Sequence, residues 1–358
     1  MKLTPYQEFI HVSRYARWLE DEQRRETWAE TVDRYMTFMK DHLEAFGVKR
    51  GDEAYKSVRS AILNMDVLPS MRALMTAGPA LERSHMAGYN CSFVAMDDVR
   101  AFDEIAYILM NGTGVGFSVE AKFTDQLPIV PDFLTAGREV DVEDSREGWA
   151  DALRQVIRQL YDGEIPTWNT DKVRPAGARL KTFGGRASGP GPLVQLFEFT
   201  IETFKAASGR RLTPLEVHDL CTKIGDVVVS GGVRRSALIS LSDLSNFDMA
   251  KAKSGSWWEQ NGHRALANNT AVYYERPNAE LFLREWRSLI ESQSGERGLL
   301  NLTGVRDMAP ARRDASQISG CNPCGEISLR SMGLCNLSEV IIKPEDTPST
   351  LKQKVAVA

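Results

Sequence analysis

The sequence has only five cysteines and lacks the ligand pattern of a structural zinc site. Such a site uses four Cys or His ligands, usually arranged as two closely spaced pairs. Cys321 and Cys324 form one such pair, but the remaining thiols do not form a second: Cys91, Cys221 and Cys335. A thioredoxin-like Cys-x-x-Cys is also disfavoured, because that motif opens a helix after a strand. A zinc-binding structural protein is therefore the least favoured interpretation.

Several other features are missing as well. The 44 basic and 48 acidic residues leave no basic excess, which is the electrostatic mark of nucleic-acid binding. No run approaches the ~18 apolar residues of a membrane helix. No charged N-terminal region precedes an apolar core, so no signal peptide is expected. An odd number of cysteines without an export signal predicts a reducing cytoplasm, in which any disulfide is catalytic.

The hydrophobic pattern predicts an α/β fold. The 358 residues can bury one large core or two domains. Helical periodicity occurs over residues 5–47, 53–66, 98–111, 145–161, 193–207, 213–230 and 281–291. Apolar strand patterns occur over 91–95, 115–119, 237–241 and 268–273, and an extended stretch is expected over 68–72. Strands that alternate with helices predict a parallel sheet.

The most informative stretch is 320–326, Gly-Cys-Asn-Pro-Cys-Gly-Glu. Pro and Gly favour a loop here, and we expect its tip to present Cys324. If the segment is locally extended, Asn322 and Glu326 point to the same side as Cys324. A nucleophilic or radical sulfur between a hydrogen-bonding amide and a general base is typical of an active site. The alternatives are a surface turn, half of a zinc site or a redox Cys-x-x-Cys.

A glycine-rich run at residues 112–116 does not predict dinucleotide binding. That fingerprint needs a strand before the glycines and a helix after them, whereas the order here is helix, glycines, strand. The glycines instead allow a close approach of another group to the backbone.

Residues 322–326 and 333–337 resemble the finger loop of ribonucleotide reductases, and residues 89–93 resemble the first active-site strand of that family. Residues 14–18 and 25–28 resemble the start of the adenosylcobalamin-dependent ribonucleoside-triphosphate reductases. The resemblance implies a ten-stranded α/β barrel, of which only the first half is accounted for, with a finger loop at its centre.

The same resemblance implies a set of domains. It assigns residues 1–66 to an N-terminal helical region and 67–358 to the first half of the barrel, with 318–337 as the finger loop and following strand. Residues 121–171 are expected to be an insertion related to effector binding. No separate ATP-cone-like domain is expected, and the chain is expected to be one piece of a split or truncated enzyme, inactive alone.

The resemblance also implies catalytic roles. Cys324 would become a thiyl radical, and Cys91 and Cys335 would supply the reducing electrons. Glu326 would act as general base, and Asn322 would hold a substrate hydroxyl. Of the other thiols, Cys221 lies among apolar neighbours on a predicted helix and is expected to be inert, and Cys321 is expected to face away.

Further residues are implied to bind nucleotides. The substrate set is Ser70, Ser92, Gly114, Asn322 and Glu326. The effector and specificity loops are implied to contribute Arg174, Arg179, Lys181, Arg234 and Arg235, because cationic side chains, and guanidinium groups above all, suit phosphate recognition. Two alternatives stay open: Ser70 as an ordinary loop serine, and residues 174–191 as a solvated basic loop.

The implied cofactor is adenosylcobalamin, and a nucleoside triphosphate is the implied effector. The implied partners are a ribonucleotide substrate, a dNTP effector, a thioredoxin- or glutaredoxin-like reductant, and the C-terminal half of the reductase as a separate chain. A metal or tyrosyl subunit is the alternative radical source, and a nucleotide-binding regulatory fragment without activity is the alternative function. Neither nucleic acid nor a membrane is expected as a partner.

Overall fold

The computed structural model describes residues 3–133, 135–178, 186–230 and 237–358. Its α-helices are α1 (Pro5–Arg14), α2 (Trp28–Ala45), α3 (Asp52–Leu63), α4 (Met71–Thr76), α5 (Pro79–Arg83), α6 (Ala101–Met110), α7 (Ala121–Thr124), α8 (Arg146–Tyr161), α9 (Gly191–Ala206), α10 (Pro214–Ser230), α11 (Phe247–Lys251), α12 (Trp258–Asn261), α13 (Ala279–Ser292), α14 (Leu302–Asp307) and α15 (Pro348–Val357). Short 3₁₀ helices span His85–Gly88, Gly262–Leu266 and Ala315–Gln317.

The strands are β1 (Trp18–Leu19), β2 (Arg24–Arg25), β3 (Val67–Pro69), β4 (Cys91–Ala95), β5 (Gly114–Ser118), β6 (Thr135–Asp141), β7 (Glu164–Asn169), β8 (Leu238–Asp243), β9 (Ala267–Tyr273), β10 (Gly298–Asn301), β11 (Gly320–Cys321), β12 (Ser328–Leu329), β13 (Gly333–Cys335) and β14 (Ser338–Val340). Among the described residues, no helix combines the length and apolar character that crossing a membrane requires.

The chain forms two compact units. One contains residues 1–90 and 336–358, and the other contains residues 91–335. The domain boundary expected after residue 66 is a family-based assignment, and it stays a prediction.

In the first unit, the helical stretch expected over residues 5–47 is interrupted. It forms α1 and α2, joined by the antiparallel pair β1–β2. Thr4 caps α1 by accepting a hydrogen bond from the Gln7 amide. The break has a local cause, because Thr27 and Glu30 form a capping box that starts a second helix. The single helical segment expected here was therefore wrong between the two helices.

The extended stretch expected over residues 68–72 is extended only as far as Pro69. There β3 pairs antiparallel with β14. Ser70 then begins α4, and its hydroxyl accepts a hydrogen bond from the Ala73 amide at 3.0 Å. Serine is a strong N-cap, so the capping preference ends the strand at this point.

The second unit is built on a six-stranded sheet of order β10-β9-β8-β5-β4-β13. The first five strands in this order are parallel, and β13 is antiparallel to β4. The predicted α/β class is confirmed. Five parallel strands are also the number that half of a ten-stranded barrel requires.

One face of this sheet packs against the segment that contains Cys324. Side chains alternate between the two faces along β4, as strand geometry dictates. One face therefore carries Cys91, Phe93 and Ala95, and the other carries Ser92 and Val94. The Phe93 face carries a buried apolar cluster. Besides residues of the sheet itself, it contains Ile318, Cys321 of β11, Leu329 of β12 and Leu302 of α14, and the sheet residues in it include Ile239, Leu241, Val272 and Cys335. The sheet is therefore covered on this face by the segment that contains Cys324.

The segment expected to be an insertion contains more structure than the sequence predicts. α8 begins where expected, because the Ser145 hydroxyl accepts a hydrogen bond from the Gly148 amide at 2.9 Å. Two strands flank this helix, and β6 and β7 pair in parallel as a βαβ unit. These strands were not predicted, since β6 is mostly exposed and lacks a regular alternation of apolar and polar residues.

Candidate active site

Cys324 lies at the tip of a short hairpin, which we call the finger loop: β11, the turn 322–327 and β12. β11 and β12 pair antiparallel through only two residues each. Asn322 closes the turn through two hydrogen bonds with Ile327. Its backbone N–H donates to the Ile327 carbonyl at 3.0 Å, and its side-chain Oδ1 accepts from the backbone N–H of Ile327 at 2.9 Å. Cys324 is exposed, as expected.

The local conformation differs from the expectation. Residues 322–327 form a tight turn, not an extended segment, and Gly325 has a positive φ of 83°. The Gly325 amide bonds the Asn322 carbonyl at 2.9 Å, which is the pattern of a β-turn. Because Gly325 readily adopts this conformation, the Pro-Cys-Gly sequence turns the chain instead of extending it. The premise that side chains at 322, 324 and 326 share one side of a strand was wrong.

Glycines let the finger loop lie directly on the sheet. A Cβ added at Gly116 on β5 would overlap the carbonyl oxygen of Cys321, and one added at Gly320 would overlap the Phe93 ring. A Cβ at Gly114 would stand 3.0 Å from Cγ of Pro323. Gly114 was expected to allow a close approach, and in the described structure the approaching group is the finger loop. Glycine within a strand is a general signal of such an approach, and this signal could have identified Gly116.

Cys91 and Cys335 face each other directly across the antiparallel pair β4–β13. Opposed residues in antiparallel strands have Cα atoms about 4.5 or 5.5 Å apart. Disulfides span Cα separations of about 4.4–6.8 Å. The two thiols are free in this structure, and the register allows them to form a disulfide without a large backbone movement.

The two thiols are not equivalent electrostatically. The hydrogen bond with the Cys335 sulfur and, after it, burial raise the pKa of Cys91 far above its usual range. The Cys91 thiol, acting as donor, lowers the pKa of Cys335 despite burial. In this arrangement the Cys91 thiol is the donor of the pair, and Cys335 is the sulfur whose ionisation is favoured.

Asn322 and Glu326 act on the same thiols. The Asn322 carboxamide lowers the pKa of Cys91, opposing the larger effects of Cys335 and burial, and the Glu326 carboxylate contributes to raising it. Partial burial and then Glu326 and Cys91 raise the pKa of Cys324. The turn thus brings Cys324, Asn322 and Glu326 into one electrostatic cluster with Cys91 and Cys335.

Asn322 also carries an unused donor. Its side chain is fully buried, and Nδ2, which acts on the Cys91 sulfur, has no well-formed hydrogen bond to a described residue. A buried unpaired donor costs free energy, of the order of 1–3 kcal/mol. Because Oδ1 is fixed by Ile327, the amide is held with its donor available to a ligand acceptor.

The structure does not bring every predicted site residue to this cluster. Ser92 is buried on the opposite face of β4 from Cys91, and its hydroxyl donates to the Gly114 carbonyl at 3.1 Å. Ser70 caps α4 in the other unit. Arg174 pairs with Asp144, with Nε 2.7 Å from Oδ2. Their roles in nucleotide binding stay predictions.

The other expected loop residues are Arg179, Lys181, Arg234 and Arg235, and all four lie outside the described residues. The remaining two thiols are buried. Cys221 lies on α10 with Sγ 3.8 Å from Sδ of Met96. Burial raises the pKa of Cys321 to about 11, which leaves this thiol protonated at neutral pH.

Mild oxidation of the reduced chain is expected to produce one intramolecular disulfide, between Cys91 and Cys335. Cross-strand register places these sulfurs together, and the lowered pKa of Cys335 supplies the attacking thiolate. Peptide mapping by mass spectrometry would identify the bond. Cys91→Ala should leave Cys335 free and raise its pKa, which ultraviolet titration of the thiolate would detect. A main product that joins Cys324 or Cys321 to another thiol would contradict the geometry.

Comparisons with known proteins agree with this arrangement. Residues 132–203 match the family model described as "B12-dependent ribonucleotide reductase, insertion domain". The match overlaps the segment 121–171 that the sequence analysis expects to be an insertion.

Curated relatives match nearly the whole chain. A protein of Lacticaseibacillus paracasei named adenosylcobalamin-dependent ribonucleoside-triphosphate reductase is 30% identical over 91% of this chain and 53% of its own length. A protein of Euglena gracilis with the same name is 28% identical over 97% of this chain and 50% of its own. The chain thus spans about half the length of the curated relatives it matches.

A solved structure supports the same relationship. The crystal structure of a B12-dependent (class II) ribonucleotide reductase matches with a TM-score of 0.82 and 26% identity, over 97% of this chain and 56% of that chain. The expected cofactor class is the one that the relatives are named for. In sequence, insertion domain and fold, the chain is similar to the adenosylcobalamin-dependent (class II) ribonucleotide reductases.

Proposed function

We propose that this chain provides the thiyl-radical site of an enzyme that reduces ribonucleoside triphosphates to 2′-deoxyribonucleotides. One observation carries the proposal. Two opposed thiols, Cys91 and Cys335, share one electrostatic cluster with Asn322, with Glu326 and with Cys324, whose thiol is exposed. The reaction needs one radical sulfur and two reducing sulfurs, and this cluster contains all three. That the substrate is a ribonucleoside triphosphate is inferred from the names of the relatives.

The cofactor we propose is adenosylcobalamin, which when bound supplies the radical that makes Cys324 a thiyl. A radical source outside this chain must reach the sulfur that it activates. Cys324 meets this requirement because it is exposed at the tip of the finger loop, whereas Cys221, Cys321 and Cys335 are buried. Cys324 is therefore the residue that would face the cofactor.

The residues of the chain then divide the chemistry. The Cys324 thiyl removes the hydrogen atom from C3′ and later returns it. Glu326 accepts the proton of the 3′-hydroxyl as general base. The free Nδ2 of Asn322 donates a hydrogen bond to a ribose hydroxyl, which satisfies its buried donor.

Cys91 and Cys335 supply the two electrons and two protons of the reduction. The 2′-hydroxyl leaves as water after it takes a proton from the pair, and the two sulfurs become a disulfide. One ribonucleotide and two thiols thus give one deoxyribonucleotide, one water and one disulfide. The raised pKa of Cys91 keeps this thiol protonated at neutral pH, so that it retains the proton that the leaving 2′-oxygen needs, and the lowered pKa of Cys335 suits the sulfur that closes the disulfide.

Turnover requires further partners. A thioredoxin- or glutaredoxin-like dithiol would reduce the Cys91–Cys335 disulfide by exchange. We also propose a dNTP effector bound near the insertion, and the remaining half of the reductase as a separate chain. The residues proposed for nucleotide contacts are Ser70, Ser92, Gly114, Arg174, Arg179, Lys181, Arg234 and Arg235.

The test is deoxyribonucleotide formation from a ribonucleoside triphosphate with adenosylcobalamin and a dithiol. We expect product when this chain is combined with the rest of the enzyme as a second chain, and none from either part alone. Parallel reactions should replace adenosylcobalamin with a metal or tyrosyl radical subunit. Activity only with such a subunit would contradict the cofactor assignment, and no activity in any combination would contradict the proposed function.

A further inference from the structure

Two arginines before the finger loop bind its two ends. Arg306 on α14 donates to the Ile318 carbonyl from Nε at 3.1 Å and from Nη2 at 2.7 Å. Arg313 donates from Nη2 to the Ser328 carbonyl at 2.6 Å. Ile318 lies two residues before β11, and Ser328 belongs to β12. One guanidinium therefore holds each strand of the hairpin at its base.

Arg306 is itself anchored to the sheet. Its guanidinium lies over the Tyr274 ring, 5.3 Å from the centroid, and Tyr274 directly follows β9. The Tyr274 hydroxyl donates to Oε1 of Glu120 at 2.7 Å. Glu120 is fully buried, and its other oxygen accepts from the Ser118 hydroxyl at the end of β5 at 2.8 Å. A continuous chain of contacts thus joins β5 and β9 to the start of the finger loop.

The finger loop needs such anchors. β11 and β12 pair through only two residues each, and so short a hairpin cannot fix its own orientation. The reducing thiols lie on β4 and β13, which are strands of the large sheet. The position of Cys324 relative to Cys91 and Cys335 is therefore set by whatever holds the base of the hairpin on that sheet.

We propose that Arg306 is a positioning residue that sets the placement of Cys324 against the Cys91–Cys335 pair, with Arg313 securing the second strand. Arg306 acts through the backbone of Ile318 and has no part in the chemistry. Its importance for turnover rests on the proposed function, whereas its effect on the finger loop does not.

The first test uses a nitroxide label on Cys324 and electron paramagnetic resonance of the reduced chain. Cys324 is exposed, Cys91 is half-buried and the other thiols are buried, so a brief reaction labels Cys324 first. Arg306→Ala should increase the mobility of this label severalfold, and Arg306→Lys should restore part of the restraint because lysine can still donate to Ile318. Arg312→Ala is the matched control, since Arg312 is an exposed arginine of the same segment without a hydrogen bond or ion pair to the described residues.

The second measurement separates positioning from general loosening. The rate of Cys91–Cys335 disulfide formation depends on the sheet and should be unchanged in Arg306→Ala. In the assembled enzyme, this variant should lower kcat severalfold without raising KM. Unchanged label mobility would overturn the proposal, as would a matching loss of disulfide formation. Failure of the proposed function would give a different result. The assembled wild-type enzyme would be inactive, but Arg306→Ala would still increase the mobility of the label on Cys324.

Discussion

Cys324→Ser is expected to lower the rate of deoxyribonucleotide formation by the assembled enzyme by a factor of at least about 10³. Serine has nearly the same shape and keeps the turn, but its O–H bond is too strong to yield the radical that the reaction needs. Nucleotide binding should not change, because Cys324 lies at an exposed tip and does not build the turn. Product formation and equilibrium nucleotide binding, measured on the same preparation, would separate the two effects.

Cys321→Ala is the matched control for this substitution. Cys321 lies three residues earlier on the same hairpin, is buried and has a raised pKa. We expect this variant to keep most of its activity, with at most a modest loss of stability from the smaller side chain. Turnover by Cys324→Ser near the wild-type rate would show that Cys324 does not carry the radical. Complete loss of activity in a folded Cys321→Ala chain would contradict the assignment in the same way.

Gly116→Ala is expected to have the second-largest effect. The added methyl carbon would lie far too close to the Cys321 carbonyl oxygen, so the finger loop must move away from β5. Overpacking of this kind costs about 1–3 kcal/mol of stability. A displacement of about 1 Å at a reacting group can cost about 10²-fold in rate. We therefore expect a lower unfolding midpoint and a loss of activity larger than the loss of stability alone explains.

Gly191→Ala provides the comparison. Gly191 begins α9 and has open space where a Cβ would be added, so alanine should be neutral or slightly stabilising there. Thermal unfolding and product formation should be measured for both variants. Wild-type stability and activity in Gly116→Ala would show that the finger loop does not lie on β5 as described.

Much of the fold could be predicted because its signals are local. The helices predicted to start near residues 5, 145 and 213 do so, and Thr4, Ser145 and Thr213 cap them, whereas the capped starts of α2 and α4 were missed. Four of the five parallel strands have apolar cores that stand out in the sequence. β10 was missed because it has only four residues, all at least partly exposed.

The site could be predicted as a set of residues but not as an arrangement. The motif identified Cys324, and the resemblance added Cys91 and Cys335. The register that opposes Cys91 and Cys335 depends on pairing between strands far apart in the chain, which a sequence pattern does not specify. The free donor of Asn322 and the hold of Arg306 on the finger loop depend on tertiary contacts, and for that reason they emerged only from the structure.

The most direct test of the account is a single turnover of the assembled enzyme with adenosylcobalamin and a ribonucleoside triphosphate, without an external dithiol. The reduced chain should form deoxyribonucleotide and the Cys91–Cys335 disulfide in equal amounts, quantified by chromatography and peptide mapping. Deoxyribonucleotide formed while Cys91 and Cys335 remain reduced, or accompanied by a disulfide between other cysteines, would contradict the assignment of these two thiols as the reductant.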